Sequence, residues 1–269
     1  MDLDLHLHSS ASDGTLPPEE VVALAVSARL DVIALTDHDT VQGVAGAIEA
    51  ARQHPIAVIP ALEISTTWDD SEFHILGYFI DPTDQELVAH VGRATQIRLD
   101  RLRTMVSRLA DRGIEVPFDQ VEAVAGTSAP GRPHLARAMV DIGIVQSVPE
   151  AFDRFIGNDH PAYLPTRLLD PEQAIRLIQG AGGLAVWAHP PVNRLEALLP
   201  ELRRWGLAGL EVYRPYHSRD RMLQLERAAR SHDLMVTGGS DWHGPEGGEL
   251  GSFRVQASEV AEFLEAGGM

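Results

Sequence analysis

The chain has 269 residues and a hydrophobic share of 44%, which suits one large globular domain or a barrel that carries an insertion. It contains no cysteine, which excludes disulfides and thiolate metal sites, and it has no apolar run long enough to span a membrane. The net charge of −17 argues against long duplex nucleic acid as a partner, because duplex binding requires many contacts from lysine and arginine to phosphate groups.

The first part of the chain alternates predicted strands with predicted helices. Leu3 and Leu5 alternate with polar residues and indicate a strand that ends in an H-x-H sequence at 6–8. Further strands are predicted at 32–35, 56–64 and 74–80, and helices at 17–29 and 44–53. Because His74 stands at the start of its strand, this strand fits the pattern only as the antiparallel hairpin partner of the preceding one.

The composition changes at Asp81 and Pro82. A helical pattern rich in arginine, leucine and valine then runs from 84 to 112 and ends at Gly113. Shorter helices are predicted at 119–124, 133–142 and 149–155. We interpret residues 83–161 as a helical insertion that covers the active site. We expect the arginines of its long helix to lie on a solvated face with acidic partners, and the alternative is that they form a surface that binds RNA.

The alternation of strands and helices returns after Leu168. Helices are predicted at 171–179, 196–204 and 219–231, and strands at 184–188, 210–213 and 234–237. Residues 1–82 and 162–269 are therefore assigned to one α/β unit. Its seven predicted strands alternate mostly with helices, which favours a barrel-like parallel α/β fold.

The C-terminal ends of the strands of such a barrel meet at one rim, where the chemistry takes place. Six of the twelve histidines and three acidic residues are assigned to this rim, and the nine are His6, His8, Asp13, His38, Glu63, His74, His189, Asp241 and His243. A single H-x-H pair is a weak indication of a metal site, but scattered surface histidines would not collect at one rim. Imidazole and carboxylate ligands without sulfur suit Mn²⁺, Fe²⁺ or Zn²⁺.

Five short motifs resemble, in the same order, those of the PHP family, which is named for polymerase and histidinol phosphatase. They are H-x-H followed by Asp13, T-D-H-D at 36–39, E-I-S at 63–65, A-H-P at 188–190 and S-D-W-H at 240–243. The resemblance covers the chain outside the insertion. Inside the insertion, G-R-P-H at 131–134 resembles the subgroup of 3′,5′-nucleoside bisphosphate phosphatases, which includes RNase AM-like enzymes that trim short RNA from its 5′ end.

The resemblance implies a distorted (β/α)7 PHP barrel whose site holds up to three divalent metal ions. By similarity, His6, His8, Glu63 and Asp241 hold one ion, Glu63 bridges to a second ion with His74 and His189, and Asp13, His38 and His243 hold the third. We expect Mn²⁺ first, with Fe²⁺ or Zn²⁺ as alternatives. The catalytic group is expected to be a metal-bound hydroxide, so that no protein nucleophile takes part.

The resemblance thus predicts a metal-dependent phosphoesterase that acts on a phosphate monoester of a small nucleotide. The first expectation is that a 3′,5′-nucleoside bisphosphate is converted to nucleoside 5′-monophosphate and phosphate. The alternatives are a 5′→3′ exonuclease on short 5′-phosphorylated RNA, a histidinol phosphatase and a non-catalytic metal-binding module.

Two residues of the G-R-P-H motif, Arg132 and His134, are the candidates for binding a second phosphate, because arginine offers a bidentate fork to phosphate oxygens. The alternative for Arg132 is a surface position at the start of a helix. Glu211 is expected at best to support a ligand. Asp37 and Asp39 are expected either to orient a ligand or to cap the following helix.

The expected partner is a small phosphorylated nucleotide or a short oligoribonucleotide, with no membrane and no obligate protein partner. The N-terminus begins with a strand pattern and shows neither a basic region nor an apolar signal core. We therefore expect a cytoplasmic location.

Overall fold

The computed structural model describes residues 1–69, 71–126 and 128–269. Within these residues eight strands form one sheet, in the order β7-β6-β5-β4-β3-β2-β1-β8. The strands are β1 (Asp2–Leu7), β2 (Val32–Leu35), β3 (Ala57–Trp68), β4 (Ser71–Tyr78), β5 (Leu184–Trp187), β6 (Gly209–Tyr213), β7 (Met235–Gly238) and β8 (Val255–Gln256). Strand β4 is antiparallel to both of its neighbours and β8 is antiparallel to β1, whereas the other pairs are parallel.

The sheet is nearly closed into a barrel. After β7 the chain runs beside β1, where the Asp241 amide donates to the His6 carbonyl at 2.8 Å and the His8 amide donates to the Trp242 carbonyl at 2.9 Å. The predicted α/β barrel is confirmed, including the antiparallel fourth strand. Strand β8 is an addition that the sequence pattern does not predict, because two residues are too few to show an alternation.

The described residues also contain ten α-helices. They are α1 (Pro18–Ser27), α2 (Gln42–Ala51), α3 (Gln85–Ala110), α4 (Phe118–Ala125), α5 (Arg132–Asp141), α6 (Val148–Ala151), α7 (Pro171–Gly180), α8 (Leu195–Trp205), α9 (Arg219–Ser231) and α10 (Ala261–Ala266). A π-helical turn, Phe152–Ile156, continues α6. In this part of the chain, no helix is both long and apolar enough to cross a membrane.

The apolar strands are covered on both faces, which explains their continuous hydrophobic runs. All four residues of β2 are buried. One core cluster joins Leu3 of β1 and Tyr78 of β4 to Phe263 of α10. Another cluster packs α7, α8 and α9 against the strands from β3 to β6. The barrel is therefore held between apolar layers.

The helices from α3 to α6 share an apolar core of their own. Leu102 and Met105 of α3 belong to the same buried cluster as Leu135 and Met139 of α5. The division of the chain into a barrel and an insertion at 83–161 stays a prediction.

Two arginines of α3 point into the molecule. Arg98 and Arg101 are only 5% and 6% exposed. Arg98 Nε donates to Asp39 Oδ2 at 2.8 Å, and Arg101 Nη2 donates to Glu72 Oε1 at 3.2 Å. The acidic partners that we predicted exist, but the predicted solvated face is wrong at these two positions. The reason is that both acidic partners lie in the barrel, far from α3 in sequence. The periodicity of a helix does not predict such distant partners.

Replacing Arg98 with alanine is expected to lower the free energy of unfolding by about 3 to 5 kcal/mol, because the buried carboxylate of Asp39 would lose its counter-charge. The matched control is Arg103→Ala. Arg103 is exposed and pairs with Asp100 and Glu122 within the helical segment, so its loss is expected to cost less than about 1 kcal/mol. Urea unfolding followed by circular dichroism measures both variants. Equal losses in the free energy of unfolding of the two variants would contradict a buried, stabilising ion pair between Arg98 and Asp39.

Candidate metal centre

The first group of donor atoms is built on β1 and the turn that follows it. His6 and His8 are two residues apart and share one face, so their side chains converge. Their Nε2 atoms lie 3.1 Å apart. Glu63 Oε2 lies 3.2 Å from the first and 3.3 Å from the second of these atoms, and Asp241 Oδ1 lies 3.3 Å from both. Four side chains from β1, β3 and the residues that follow β1 and β7 thus surround one point.

The second group uses the other oxygen of the same glutamate. Glu63 Oε1 lies 2.9 Å from His74 Nδ1 and 3.1 Å from His189 Nε2, and these two nitrogens are 3.2 Å apart. The register of the β3–β4 hairpin pairs Ser65 with His74, which makes Glu63 and His74 diagonal neighbours on one face. Because β4 runs antiparallel, His74 reaches the rim from the first half of its strand.

The third group surrounds Asp13. Its Oδ1 lies 3.3 Å from His243 Nε2 and 3.7 Å from His8 Nδ1, and its Oδ2 lies 3.8 Å from His38 Nε2. The loop that carries Asp13 is tight, since a Cβ at Gly14 would lie 2.7 Å from the His8 carbonyl oxygen. This position therefore requires glycine.

All nine predicted residues meet in one region. Three sets have donor atoms within 4.8 Å of one another, and these are His6, His8, Glu63 and Asp241; His8, Asp13, His38 and His243; and His38, Glu63 and His74. His8, His38 and Glu63 each belong to two of these sets, and His189 lies beside the last set through its contact with Glu63. This sharing differs from the simple partition that the resemblance implies. The role of the nine as ligands stays a prediction.

The donor set fits divalent metal ions. Nitrogen and oxygen donors converge without sulfur, which suits Mn²⁺, Fe²⁺ or Zn²⁺. Two buried ring nitrogens, His8 Nδ1 and His38 Nδ1, have no hydrogen-bond partner. Buried polar atoms are normally satisfied, so unpartnered nitrogens in a cluster of carboxylates fit the donors of a cation site.

The electrostatics of the cluster support the same conclusion. Burial lowers the pKa of His38 to about 3. Burial also opposes protonation of His8, but hydrogen bonds to Asp241 and Glu63 outweigh it and raise the pKa of His8 to about 10. The carboxylates therefore require positive charge, while the crowded imidazoles cannot all take a proton. Divalent cations meet this requirement, because they bind imidazole in its neutral form.

Glu211 and Arg214 support the first two groups from β6 and the residues after it. Glu211 Oε1 accepts a hydrogen bond from His6 Nδ1 at 2.7 Å, and its Oε2 accepts one from the His189 amide at 2.7 Å. Arg214 joins Glu211 Oε2 at 2.9 Å to Asp241 Oδ2 at 2.8 Å. A proton held on His6 Nδ1 leaves Nε2 free for a metal. Sequence reasoning identified Glu211 as a supporting residue but missed Arg214, whose position just beyond a strand end was the available signal.

Two aspartates order the loops that carry ligands. Asp37 accepts hydrogen bonds from the Ser9 amide, the Ser9 hydroxyl and the Ser12 hydroxyl, each at 2.7 Å. Asp39 accepts one from the Ser65 amide at 2.8 Å. Helix α2 has no side-chain cap, so the alternative in which these aspartates cap that helix is wrong.

Arg132 lies beside the cluster. It lines a cavity of about 130 Å³ that is also lined by Asp13, His38, His74, Arg98 and Arg101. Its Nη2 donates to Glu72 Oε2 at 3.1 Å, its Nη1 donates to Asn158 Oδ1 at 2.7 Å, and its guanidinium stacks on the Tyr163 ring at 4.9 Å. These contacts fix the orientation of the Arg132 guanidinium, which is only partly exposed, unlike that of a surface arginine.

His134 has a different environment. Both of its ring nitrogens are engaged, since Nδ1 accepts from the Gly131 amide at 3.0 Å and Nε2 lies 3.2 Å from the Ser128 hydroxyl. Burial lowers the pKa of His134 to about 4, so the ring is neutral at physiological pH. The expected phosphate contact by His134 does not follow from this geometry. The ring instead holds the turn from which Arg132 projects.

Comparison with known proteins decides the family. Residues 4–124 match the family model of the PHP domain. A 3′,5′-nucleoside bisphosphate phosphatase from Chromobacterium violaceum is 36% identical over 256 residues, which are 92% of this chain and 89% of that protein. The chain belongs to the PHP family. A 5′-3′ exoribonuclease from Haemophilus influenzae is 35% identical over 91% of this chain and 90% of that protein, so the resemblance to this subgroup is confirmed.

The fold comparison agrees with the sequence comparison. An amidohydrolase from Chromobacterium violaceum, determined with bound sulfate and without metal, has a TM-score of 0.89 and is 33% identical over 99% of this chain and 97% of that chain. As a PHP protein with these relatives, the chain is a hydrolase of the phosphoesterase type. A non-catalytic metal-binding module is thereby excluded.

Replacing Glu211 with glutamine is expected to weaken metal binding by about 10- to 100-fold, because the carboxylate that orients His6 would be lost. Glu226→Gln is the matched control, since Glu226 accepts a hydrogen bond from the Tyr213 hydroxyl outside the cluster. Titration of the metal-free protein with Mn²⁺ measures the affinity of each variant. Unchanged affinity in the Glu211 variant would contradict this supporting role.

Proposed function

We propose that this chain is a divalent-metal-dependent phosphatase that converts a 3′,5′-nucleoside bisphosphate to nucleoside 5′-monophosphate and phosphate. The observation that carries the proposal is a single cavity lined both by metal-type donors and by arginines. Asp13, His38 and His74 line it together with Arg98, Arg101 and Arg132. Such a cavity suits a substrate with two phosphates, one at the metals and one at the arginines.

In this proposal the nine residues hold up to three ions. His6, His8, Glu63 and Asp241 hold the first, Glu63 with His74 and His189 holds the second, and Asp13, His38 and His243 hold the third. Mn²⁺ is the proposed metal, with Fe²⁺ or Zn²⁺ as alternatives. Bound divalent ions supply positive charge to the phosphate oxygens and lower the pKa of water. The carboxylates of Asp13, Glu63 and Asp241 keep that charge in place.

Water is the proposed nucleophile, because the two hydroxyl groups among the described residues that line the cavity are already engaged. The Ser65 hydroxyl accepts a hydrogen bond from Arg98 Nη2 at 2.8 Å. The Thr166 hydroxyl donates to Glu72 Oε1 at 3.1 Å. Neither lies beside a free base, so hydrolysis adds water across the bond between phosphorus and the ribose 3′ oxygen without a phosphoenzyme.

Arg132 is the proposed contact for the 5′-phosphate. Glu72 holds it together with Arg101, and this shared carboxylate fixes the directions in which both guanidinium groups point. Burial lowers the pKa of Arg101 to about 10, so it stays charged at neutral pH. The arginines thus provide local positive charge within a chain of net charge −17.

A 5′→3′ exonuclease on short 5′-phosphorylated RNA is the second candidate. It is favoured by the relative from Haemophilus influenzae, which is nearly as similar to this chain as the bisphosphate phosphatase. The two activities differ in whether the site accepts a nucleotide chain beyond the first ribose. Histidinol phosphatase remains the third candidate, and the arginine-lined cavity does not favour it because histidinol phosphate has only one phosphate.

A substrate panel tests the proposal. With Mn²⁺ present, kcat/KM for adenosine 3′,5′-bisphosphate is expected to exceed that for a 5′-phosphorylated RNA trimer and for histidinol phosphate. A chelator should abolish activity, and added Mn²⁺ should restore it, because the carboxylates and imidazoles alone provide no activated water. Release of phosphate measures the monoesters, and release of nucleotides measures the trimer. Faster cleavage of the trimer would favour the exonuclease, and full activity of a metal-free preparation would contradict the scheme.

Replacing Arg132 with alanine is expected to lower kcat/KM for adenosine 3′,5′-bisphosphate by about 10- to 100-fold, the effect of losing a charged hydrogen bond of about 1.5 to 3 kcal/mol. The value for adenosine 3′-monophosphate should change little, because that substrate lacks the 5′-phosphate. Arg154→Ala is the control, since Arg154 is exposed and pairs with Glu150 on its own helix. Equal losses of kcat/KM for both substrates would contradict a contact between Arg132 and the 5′-phosphate.

A further inference from the structure

The helical segment, residues 85–156, is fastened to the loop that carries Asp13. The Ala129 amide donates to the Ala11 carbonyl at 2.9 Å. Arg137 Nη2, from α5, donates to the carbonyl of Asp13 itself at 2.6 Å. These two bonds join the loop after β1 to residues more than a hundred positions later, on either side of the Gly131–Arg132 turn.

The same stretch is tied to the loop that carries His38. Arg98 Nη1 donates to the Pro130 carbonyl at 3.2 Å, while its Nε donates to Asp39 at 2.8 Å. Asp39 directly follows His38 in the chain. Arg98 therefore links Pro130, the neighbour of Ala129 that binds the Asp13 loop, to Asp39, the neighbour of His38.

These hydrogen bonds join the helical segment to the loops that carry Asp13 and His38, which are ligands predicted for the third donor group. Asp13 and His38 both belong to the group that is completed by His8 and His243. By contrast, the supporting contacts of His6, His189 and Asp241 come from the barrel residues Glu211 and Arg214. The first two donor groups are thus supported from within the barrel, whereas the third is supported both by Asp37, which binds Ser9 and Ser12 of its loop, and by the helical segment.

We propose that Arg137 is a positioning residue for the third metal position, and that the helical segment completes that position. This inference rests on the proposed metal centre, although not on the identity of the substrate. Asp13 lies in an irregular loop, where an unbound backbone would sample many conformations and place its carboxylate poorly. The charged hydrogen bond from Arg137 to the Asp13 carbonyl restricts that loop. The third ion is therefore expected to depend on Arg137, a residue outside the nine predicted ligands.

Counting bound ions tests the inference. Metal-free wild-type protein, Arg137→Gln and the control Arg103→Gln are dialysed against the same free Mn²⁺ concentrations, and bound manganese is measured by elemental analysis. Arg103 lies in the same helical segment and pairs only with Asp100 and Glu122 among its described ion pairs. Asp13→Asn serves as the reference for direct loss of a ligand. We expect three ions on the wild type and the control, with the Kd of the third site raised at least tenfold in Arg137→Gln and the first two sites unchanged.

A third-site Kd in Arg137→Gln within twofold of the wild-type value would overturn the inference, and so would equal weakening of all three sites. Fewer than three ions on the wild type would also overturn the inference, because the third metal position would then be absent. The readout needs no substrate, so a failure of the proposed phosphatase activity would leave this result intact. Circular dichroism establishes that each variant is folded. If Arg137→Gln does not fold, Arg137→Lys keeps the charge with a shorter reach, and the same weakening of the third site is expected.

Discussion

The metal centre depends on the burial of one carboxylate, that of Glu63. Its side chain is only 1% exposed, and both of its oxygens are surrounded by imidazole nitrogens. Oε2 faces His6 and His8, and Oε1 faces His74 and His189. Burial raises the pKa of this carboxyl, but the neighbouring histidines outweigh burial and hold the pKa well below its usual value. A buried, ionised carboxylate is stable only beside positive charge, and this requirement organises the rest of the site.

The barrel supplies the geometry that this carboxylate needs. Parallel strands bring their C-terminal ends to one rim, which accounts for His6, His38, His189 and Asp241. Strand β4 runs in the opposite direction, so His74 lies at the same rim although it belongs to the first half of its strand. The chain after β7 then pairs with β1, and this closure brings Asp241 to the H-x-H pair. A barrel of parallel strands alone would leave Glu63 without its partner on β4.

Much of the fold and the centre could be predicted from sequence, and the parts that could not share a physical cause. Strand and helix periodicity located the barrel, and the spacing of donors at strand ends located all nine residues that meet there. The residues that position the predicted ligands were harder to predict. Arg98 and Arg137 act on a carboxylate and a carbonyl that are far away in sequence, and Arg214 joins its neighbour Glu211 to the distant Asp241. A charged residue on a helix or loop shows no preference for one distant partner. His134 illustrates the converse, because its place in a motif suggested a ligand contact while its neighbours Gly131 and Ser128 occupy both ring nitrogens.

The central claim is that nine side chains hold a cluster of divalent cations, and anomalous diffraction from crystals of the Mn²⁺-loaded protein tests it most directly. The account predicts three manganese peaks between these side chains, with Glu63 bound to two of the ions. The donors are those of His6, His8, Asp13, His38, Glu63, His74, His189, Asp241 and His243. Manganese peaks elsewhere in the molecule, with this cluster occupied by water alone, would contradict the account.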